Sequence, residues 1–334
     1  MEFYSPYASL LAEYGMTDIA QVACAWREPH RYYHTETHLN KLLQDIATLA
    51  EKGDLAQEEK EILQVVAFFH DWVYDVRANN NEEQSAQVFM QYAHSHANAI
   101  QIRDIILATK SHQASDKLGR VFCALDMRIV SHTSFSELLE WERQIFKEYQ
   151  WLDYGIYKVA RLHVLDTFIR EYPENAQNLC ALHDYVKQFR PRMGVYAGSF
   201  NPFHSGHLNI LEKAEKIFDK VIITQGVNPD KTDSVKKPLD IPALRYRQVE
   251  PFVGFLTDYI IQKEKYCHPT LIRGLRNGDD LDYEINQWRF MEDMKPNLDI
   301  IFIACDQQFE HISSSAIKNL ERIKLGAGER YLPK

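Results

Sequence analysis

Disulfide chemistry is the first thing this 334-residue sequence lacks. Its five cysteines, Cys24, Cys123, Cys180, Cys267 and Cys305, are scattered, and no two form a C-x-x-C pair. That spacing suits reduced thiols and argues against a disulfide framework or a structural zinc site. An excess of basic charge is also missing. Lysine and arginine number 38 against 47 aspartates and glutamates, a formal net charge of −9. This speaks against a broad nucleic-acid surface while leaving room for a local basic pocket. No apolar run approaches the roughly 20 residues that a helical bilayer span requires. The first residues, MEFYSPYASLLAEYG, carry neither a basic n-region nor a long apolar stretch, so no secretory signal is expected. The expectation is a soluble, cytoplasmic protein that acts on small molecules, with no membrane and no nucleic-acid partner.

Glycine is sparse before residue 190, and alternation at period two is absent there. Helical spacing is present instead. THLNKLLQDIATLA places Leu39, Leu42, Leu43, Ile46 and Leu49 on one stripe, and EEKEILQVVAFFHDWVY does the same with Leu63, Val66, Ala67 and His70. Further helices are predicted over 82–95, 100–110, 134–149 and 154–171. The texture changes at VKQFRPRMG, where Pro191 disfavours helix continuation. Short strand-like runs follow: MGVYAG, KVIITQGV (220–227), TLIRGL (270–275) and LDIIFIAC (298–305). Helical stretches are predicted between them, over 207–218, 242–263 and 281–293. Strands alternating with helices imply a parallel sheet built from βαβ units. Two domains are therefore expected, an all-α domain over 1–190 and an α/β domain over 191–334.

Two histidine clusters carry chemistry. In the first, His34 and His38 lie four apart, one turn along a helix, and His70 and Asp71 are adjacent. Asp126 follows in CALDMRIV. Drawn from separate helices, these imidazoles and carboxylates could converge on a divalent metal such as Mn, Fe, Ni, Zn or Mg. The metal would acidify a bound water and polarise a phosphoryl oxygen. A satisfied core histidine at His70 and a solvated helix start at His34 and His38 are the plainer alternatives.

Taken in order, RYYHTETHLNKLL, FFHDWVYD, NNEEQSA and LDMRIV resemble the HD superfamily of metal-dependent phosphohydrolases, over most of residues 25–175. The resemblance implies His38, His70, Asp71 and Asp126 as metal ligands. The spacing of the first two histidines is also similar to that of cyclic-nucleotide phosphodiesterases, which implies His34 as the acid protonating the leaving oxygen. Glu82, Glu83 and His112 would support the ligands or meet the substrate. HD folds without activity exist, so a regulatory domain is the alternative.

The second cluster is MGVYAGSFNPFHSGHLNIL. Gly198 permits close backbone approach, Ser199 and the turn amides can face an anion, and a helix starting near His207 directs its N-terminal N–H groups at the same spot. His204 and His207 could donate hydrogen bonds to phosphoryl oxygens. No neighbouring Asp or Cys completes a metal set, which turns the reading from metal toward phosphate.

This loop resembles the HxGH signature of the nucleotidyltransferase superfamily, and later segments resemble one branch, the bacterial phosphopantetheine adenylyltransferases. NILEKAEKIFDKVIITQGVNPDK ends in the family's substrate-binding lysine, here Lys231, and FVGFLTDYI is similar to its next segment. LIRGLRNGDDLDYEINQWRFMEDMKPNLDIIFI supplies Arg273, Arg276 and Glu284, and HISSSAIK supplies Ser313, Ser314 and Ser315 for the triphosphate. The resemblance spans 192–332 and implies a Rossmann-like domain that binds ATP with Mg²⁺, with Gly198, Ser199 and Phe200 in the nucleotide site. It implies AMP transfer to 4′-phosphopantetheine, with His207 and His204 stabilising the transition state, and a homo-oligomer.

The sequence departs from the family at Asn201, where Asp is usual, and at His204, where Thr is usual. TDSVKKPLD is longer than usual, so Lys236 or Lys237 would share the role of Lys231, and YLPK stands where the family adds a short helix. Histidine at the position of His204 occurs in enzymes acting on nicotinate mononucleotide and glycerol phosphate. Another acceptor, such as nicotinamide mononucleotide, is therefore one alternative, and a nucleotide-binding sensor with one inactive domain is another.

Overall fold

A computed structural model describes residues 3–226 and 239–333. Up to residue 188 the chain is helical, in the order α1 (Ala8–Glu13), α2 (Ile19–Trp26), α3 (Glu36–Glu51), α4 (Gln57–Phe69), α5 (Asn81–Ala93), α6 (Ala99–Ala108), α7 (Lys117–Asp126), α8 (Arg128–Ser131), α9 (Phe135–Glu148), α10 (Tyr154–Glu171) and α11 (Ala176–Gln188). Two compact units form. One is Met1–Glu148 with Leu162–Tyr185, the other Tyr149–Arg161 with Val186–Lys334, so the division is not a single cut in the sequence. Among the described residues no helix is long and apolar enough to cross a membrane.

In the first unit α4 is the hub. Every residue from Ile62 to Phe69 is buried, polar Gln64 included. A helix that is apolar on nearly all sides belongs inside a core rather than on its surface. It packs against α3, α5, α6 and α7, with Leu39, Leu42, Ile46, Phe89, Ile102 and Phe122 closing around it. His70 is the C-cap of this helix and therefore sits in the interior. His38 lies on the buried stripe of α3, beside Leu39, Leu42 and Leu43.

The second unit is a five-stranded parallel sheet of order β3-β2-β1-β4-β5. Its strands are β1 (Arg192–Gly198), β2 (Lys220–Gly226), β3 (Gln248–Phe252), β4 (His268–Leu275) and β5 (Ile300–Ala304). The helices here are α12 (Ser205–Ala214), α13 (Leu256–Lys263), α14 (Gly278–Met294) and α15 (Ser314–Ile323). Strand order reverses between β1 and β4, and the crevice outside the carboxyl ends of such strands is where open α/β sheets bind ligands.

One expectation is overturned here. The stretch 242–263 is not a helix. A 3₁₀ turn (Pro242–Leu244), strand β3 and the shorter helix α13 occupy it. β3 is an edge strand, the position that tolerates its Pro251.

β2 and β3 show an unusual inner face. Val221 and Ile223 turn toward the apolar cluster under α12. By strand alternation Lys220, Ile222 and Thr224 turn the other way, with Ile222 and Thr224 in register with Gln248 and Glu250 of β3 and Lys220 in register with Met193 of β1. Lys220 is 1 % exposed, and its amine donates to the carbonyl of Gln150. Around it, Lys263 Nζ lies 3.3 Å from Asp153 and 2.9 Å from Glu250, and the Tyr259 hydroxyl donates to Glu250.

Burial outweighs the attraction of Asp153 and Glu250 and pushes the Lys220 amine down to about 7. The unfolded chain, with a lysine near 10.4, then binds more protons above pH 7 than the folded one. Stability should therefore rise between pH 7 and 9, with a limiting slope of about 1.4 kcal/mol per pH unit. Urea midpoints across that range check it. The shape-conserving Lys220→Met should flatten the dependence, and an equal slope in the variant would refute the assignment.

Candidate functional site

At the reversal of strand order the second unit holds a cavity of about 320 Å³, lined among others by Gly198, His204, His207, Arg273, Arg276 and Ser313. The turn after β1 builds one wall. Phe200 adopts a left-handed backbone conformation (φ 46°) and the Asn201–Pro202 peptide is cis. The Phe200 ring folds back onto Gly198, where a Cβ would come within 2.9 Å of it and force the ring to shift. Gly274 is constrained in the same way, since a Cβ would meet Ile210 Cδ1 at 2.4 Å. The Phe200 ring stands edge-on to His207, with centroids 5.1 Å apart.

His204 is the N-cap of α12, and it forms a reciprocal cap with His207. The His207 amide donates to His204 Nδ1 at 3.4 Å, and the His204 amide donates to His207 Nδ1 at 3.2 Å. The rings stack, with centroids 3.6 Å apart. Burial, helped by the charge of Arg276, holds His204 down at about 4. Burial, then His204 and Arg276, holds His207 well below its ordinary value. Both rings are thus neutral near pH 7. A neutral ring whose Nδ1 accepts carries its proton on Nε2, so each imidazole has an Nε2–H donor.

Two cations face the same cavity. Arg273 is held by Glu284 of α14 and by the Ala197 carbonyl (3.3 Å). Arg276 is gripped by Asp280 through Nε (2.9 Å) and Nη2 (2.7 Å). The opposite wall is the start of α15. Its N-cap Ser313 accepts from the Ala316 amide at 3.1 Å, and Ser314 donates to the Pro202 carbonyl at 2.9 Å. That last bond ties the two serine- and histidine-bearing helix starts together. Ser313 and Ser314 line the cavity, whereas Ser315 is exposed and is not part of its lining. Two helix N-termini and two guanidinium groups make a cradle for several phosphates. Lys231, Lys236 and Lys237 lie outside the described residues. Asp280 was not singled out by sequence reasoning; it lies in the first turn of α14, and Arg276 stands just ahead of that helix's N-cap Asn277.

In the first unit, ligand atoms of His38, His70 and Asp126 all lie within 4.8 Å of one another. His38 Nε2 is 3.2 Å from Asp126 Oδ1, and His70 Nε2 is 3.1 Å from Asp71 Oδ2. His70 Nδ1 lies 3.0 Å from the Ala67 carbonyl and must donate to it, so Nε2 is the ring nitrogen left to face the site. The Nε2 atoms of both His38 and His70 are buried without a hydrogen-bond partner. Two buried imidazole nitrogens beside the Asp126 carboxylate fit a divalent cation, while the expected ligand Asp71 meets His70 Nε2 but lies outside this group of three. The electrostatics agree: burial opposes charge on His70, yet Asp71 and Asp126 outweigh it and lift the ring to about 9. The site draws positive charge.

His34 does not join this set directly. Its Nδ1 bonds Glu148 at 2.9 Å, and burial is more than offset by that carboxylate, so its pKa is raised. Glu148 is 1 % exposed and also accepts the amides of Tyr32, Tyr33 and His34 and the Tyr74 hydroxyl. Sequence reasoning missed Glu148, which lies 114 residues from His34. Glu82 and Glu83 are taken up by Lys110, at 3.9 and 2.6 Å.

Comparison with known proteins bears on the second unit. The family model described as cytidylyltransferase-like matches residues 195–320. The phosphopantetheine adenylyltransferase of Syntrophomonas wolfei is 36% identical over 134 residues, covering 38% of this chain and 81% of that protein. The enzyme of that name from Mycoplasma capricolum is 35% identical over 146 residues, 40% of this chain and 99% of that one. For Clostridium novyi the figures are 31% over 136 residues, 39% and 83%.

Proposed function

The chain belongs to the phosphopantetheine adenylyltransferase family through its cytidylyltransferase-like part, and on that premise we propose that it transfers AMP from ATP to 4′-phosphopantetheine. The observation that carries this is the pair of neutral, Nε2-protonated imidazoles at a helix start facing two arginines across one cavity. A phosphate oxygen of the acceptor attacks the α-phosphorus of ATP, a new P–O bond forms, and the bond to the β-phosphate oxygen breaks to release pyrophosphate. The nucleophile belongs to the substrate, so the protein's task is to position and to neutralise. His207, with His204, donates to the α-phosphoryl oxygens as charge gathers there. Arg276 and the start of α15 hold the departing pyrophosphate, ATP enters with Mg²⁺, and Arg273 orients the acceptor with Lys231. Purified protein supplied with ATP, Mg²⁺ and phosphopantetheine should release pyrophosphate and form dephospho-coenzyme A. Turnover with nicotinamide mononucleotide and none with phosphopantetheine would replace the acceptor.

A second activity is favoured by the orphaned Nε2 atoms of His38 and His70. We propose that the first unit is a metal-dependent phosphohydrolase of the HD type, with His38, His70, Asp71 and Asp126 holding the cation. When bound, the metal supplies an acidified water and polarises the phosphoryl group. Glu148 keeps the His34 ring oriented and proton-loaded, so that it can protonate the leaving oxygen. Metal analysis combined with a screen of phosphoesters tests this.

A further inference from the structure

Asp126 uses its two oxygens differently. Oδ1 faces the cation site, 3.2 Å from His38 Nε2 and 3.8 Å from His70 Nε2. Oδ2 faces away from that pair and meets His112 Nε2 at 3.2 Å. A carboxylate can only accept, so His112 Nε2 carries the proton of this bond. His112 comes from the connection between α6 and α7, and its backbone is left-handed, with φ 52°. For a side chain with a Cβ that conformation is strained, and it persists only where surrounding contacts hold it. Here it aims the ring at the last residue of α7. His112 is also the one member of this group that is substantially exposed, at 30 % for its side chain against 5 % for His38 and 1 % for His70.

We propose that His112 is a positioning residue for the metal centre. By holding Asp126 Oδ2 it presents Oδ1 alone to the cation. Carboxylate ligands left without such a partner rotate and swing between one-oxygen and two-oxygen contact, and losing a partner of this kind lowers metal affinity by about 10–100-fold. This rests on the metal-dependent reading of the first unit. The geometry also separates His112 from the ligands: its Nε2 is engaged in a hydrogen bond to Asp126 Oδ2, whereas the Nε2 atoms of His38 and His70 are buried without such a partner.

The test uses the full chain stripped of metal and titrated with Mn²⁺ alone, with Zn²⁺ as a second probe, read by calorimetry. Wild type should bind one ion. His112→Ala should bind Mn²⁺ about 10–100-fold more weakly while the thermal midpoint of the metal-free protein stays close to wild type. His112→Gln keeps a terminal N–H near the place of Nε2 and shares the same backbone constraint, so it should recover most of the lost affinity. A merely structural role would move the metal-free midpoint and would not be rescued by glutamine. Unchanged affinity in His112→Ala would overturn the proposal. So would a wild type that binds two ions and a variant that binds one, because His112 would then be a ligand. Failure of the wild type to bind either ion would instead overturn the metal reading itself.

Discussion

Replacing His207 by alanine is expected to lower the turnover of AMP transfer by about 10²–10³-fold, the loss typical of removing one preorganised donor to a developing oxyanion. The KM for ATP should change far less, because the arginines and the start of α15 remain to bind the phosphates. Two substitutions separate the roles of the ring's two edges. His207→Asn retains an acceptor in the place of Nδ1, which can still take the His204 amide, but it has no donor where Nε2–H stood. It should keep the thermal midpoint near wild type and lose turnover almost as fully as alanine. His207→Ala also removes half of the reciprocal cap and should destabilise the unit by about 1 kcal/mol. Pyrophosphate release under saturating ATP, alongside thermal unfolding, checks both. If turnover in the asparagine variant stayed within a few-fold of wild type, the Nε2–H donor would not be the catalytic group.

The second large effect belongs to the first unit. Asp71→Ala should abolish retention of the divalent metal and, with it, metal-dependent phosphate release, by two orders of magnitude or about that. Asp71 Oδ2 lies 3.1 Å from His70 Nε2, and without its charge a buried imidazole faces Asp126 alone. AMP transfer should be untouched, because every group assigned to it belongs to the other compact unit. Elemental analysis of the purified variant and parallel assays of the two reactions decide the matter. Equal loss of both activities would show that one fold or one site is shared.

Much of this was legible in the sequence wherever the chemistry sits on contiguous residues. The loop with HSGH carries its groups at one helix start, so its residues alone point toward phosphate, and IRGLR and ISSS were legible as contiguous motifs through the family resemblance. The helical first half and the parallel sheet were legible from periodicity and from strands alternating with helices. Groups whose role depends on a distant partner were not. Glu148 reads as one more acid at the end of an amphipathic helix, and only the folded chain brings three amides, an imidazole and a phenol to its carboxylate. β3 escaped because its inner face is Gln248 and Glu250 rather than hydrocarbon, so no apolar alternation marks it, and Pro251 argues locally against a strand. The polar layer under β2 was hidden likewise: KVIITQ reads as a buried strand, and nothing local reveals that Lys220 is sealed inside it.

The histidines of the two units differ in one backbone detail. At His70 a carbonyl takes the Nδ1 proton, and at His204 and His207 amides give to Nδ1. The same ring is thereby wired in opposite senses, its Nδ1 donating in one unit and accepting in the other. Two imidazoles stacked 3.6 Å apart would otherwise be a trap for any stray transition metal. Fixed as donors, they present no ready lone pair on Nε2 to such ions. On the two readings proposed above, zinc at concentrations that fill the first cluster should leave AMP transfer at the second unchanged.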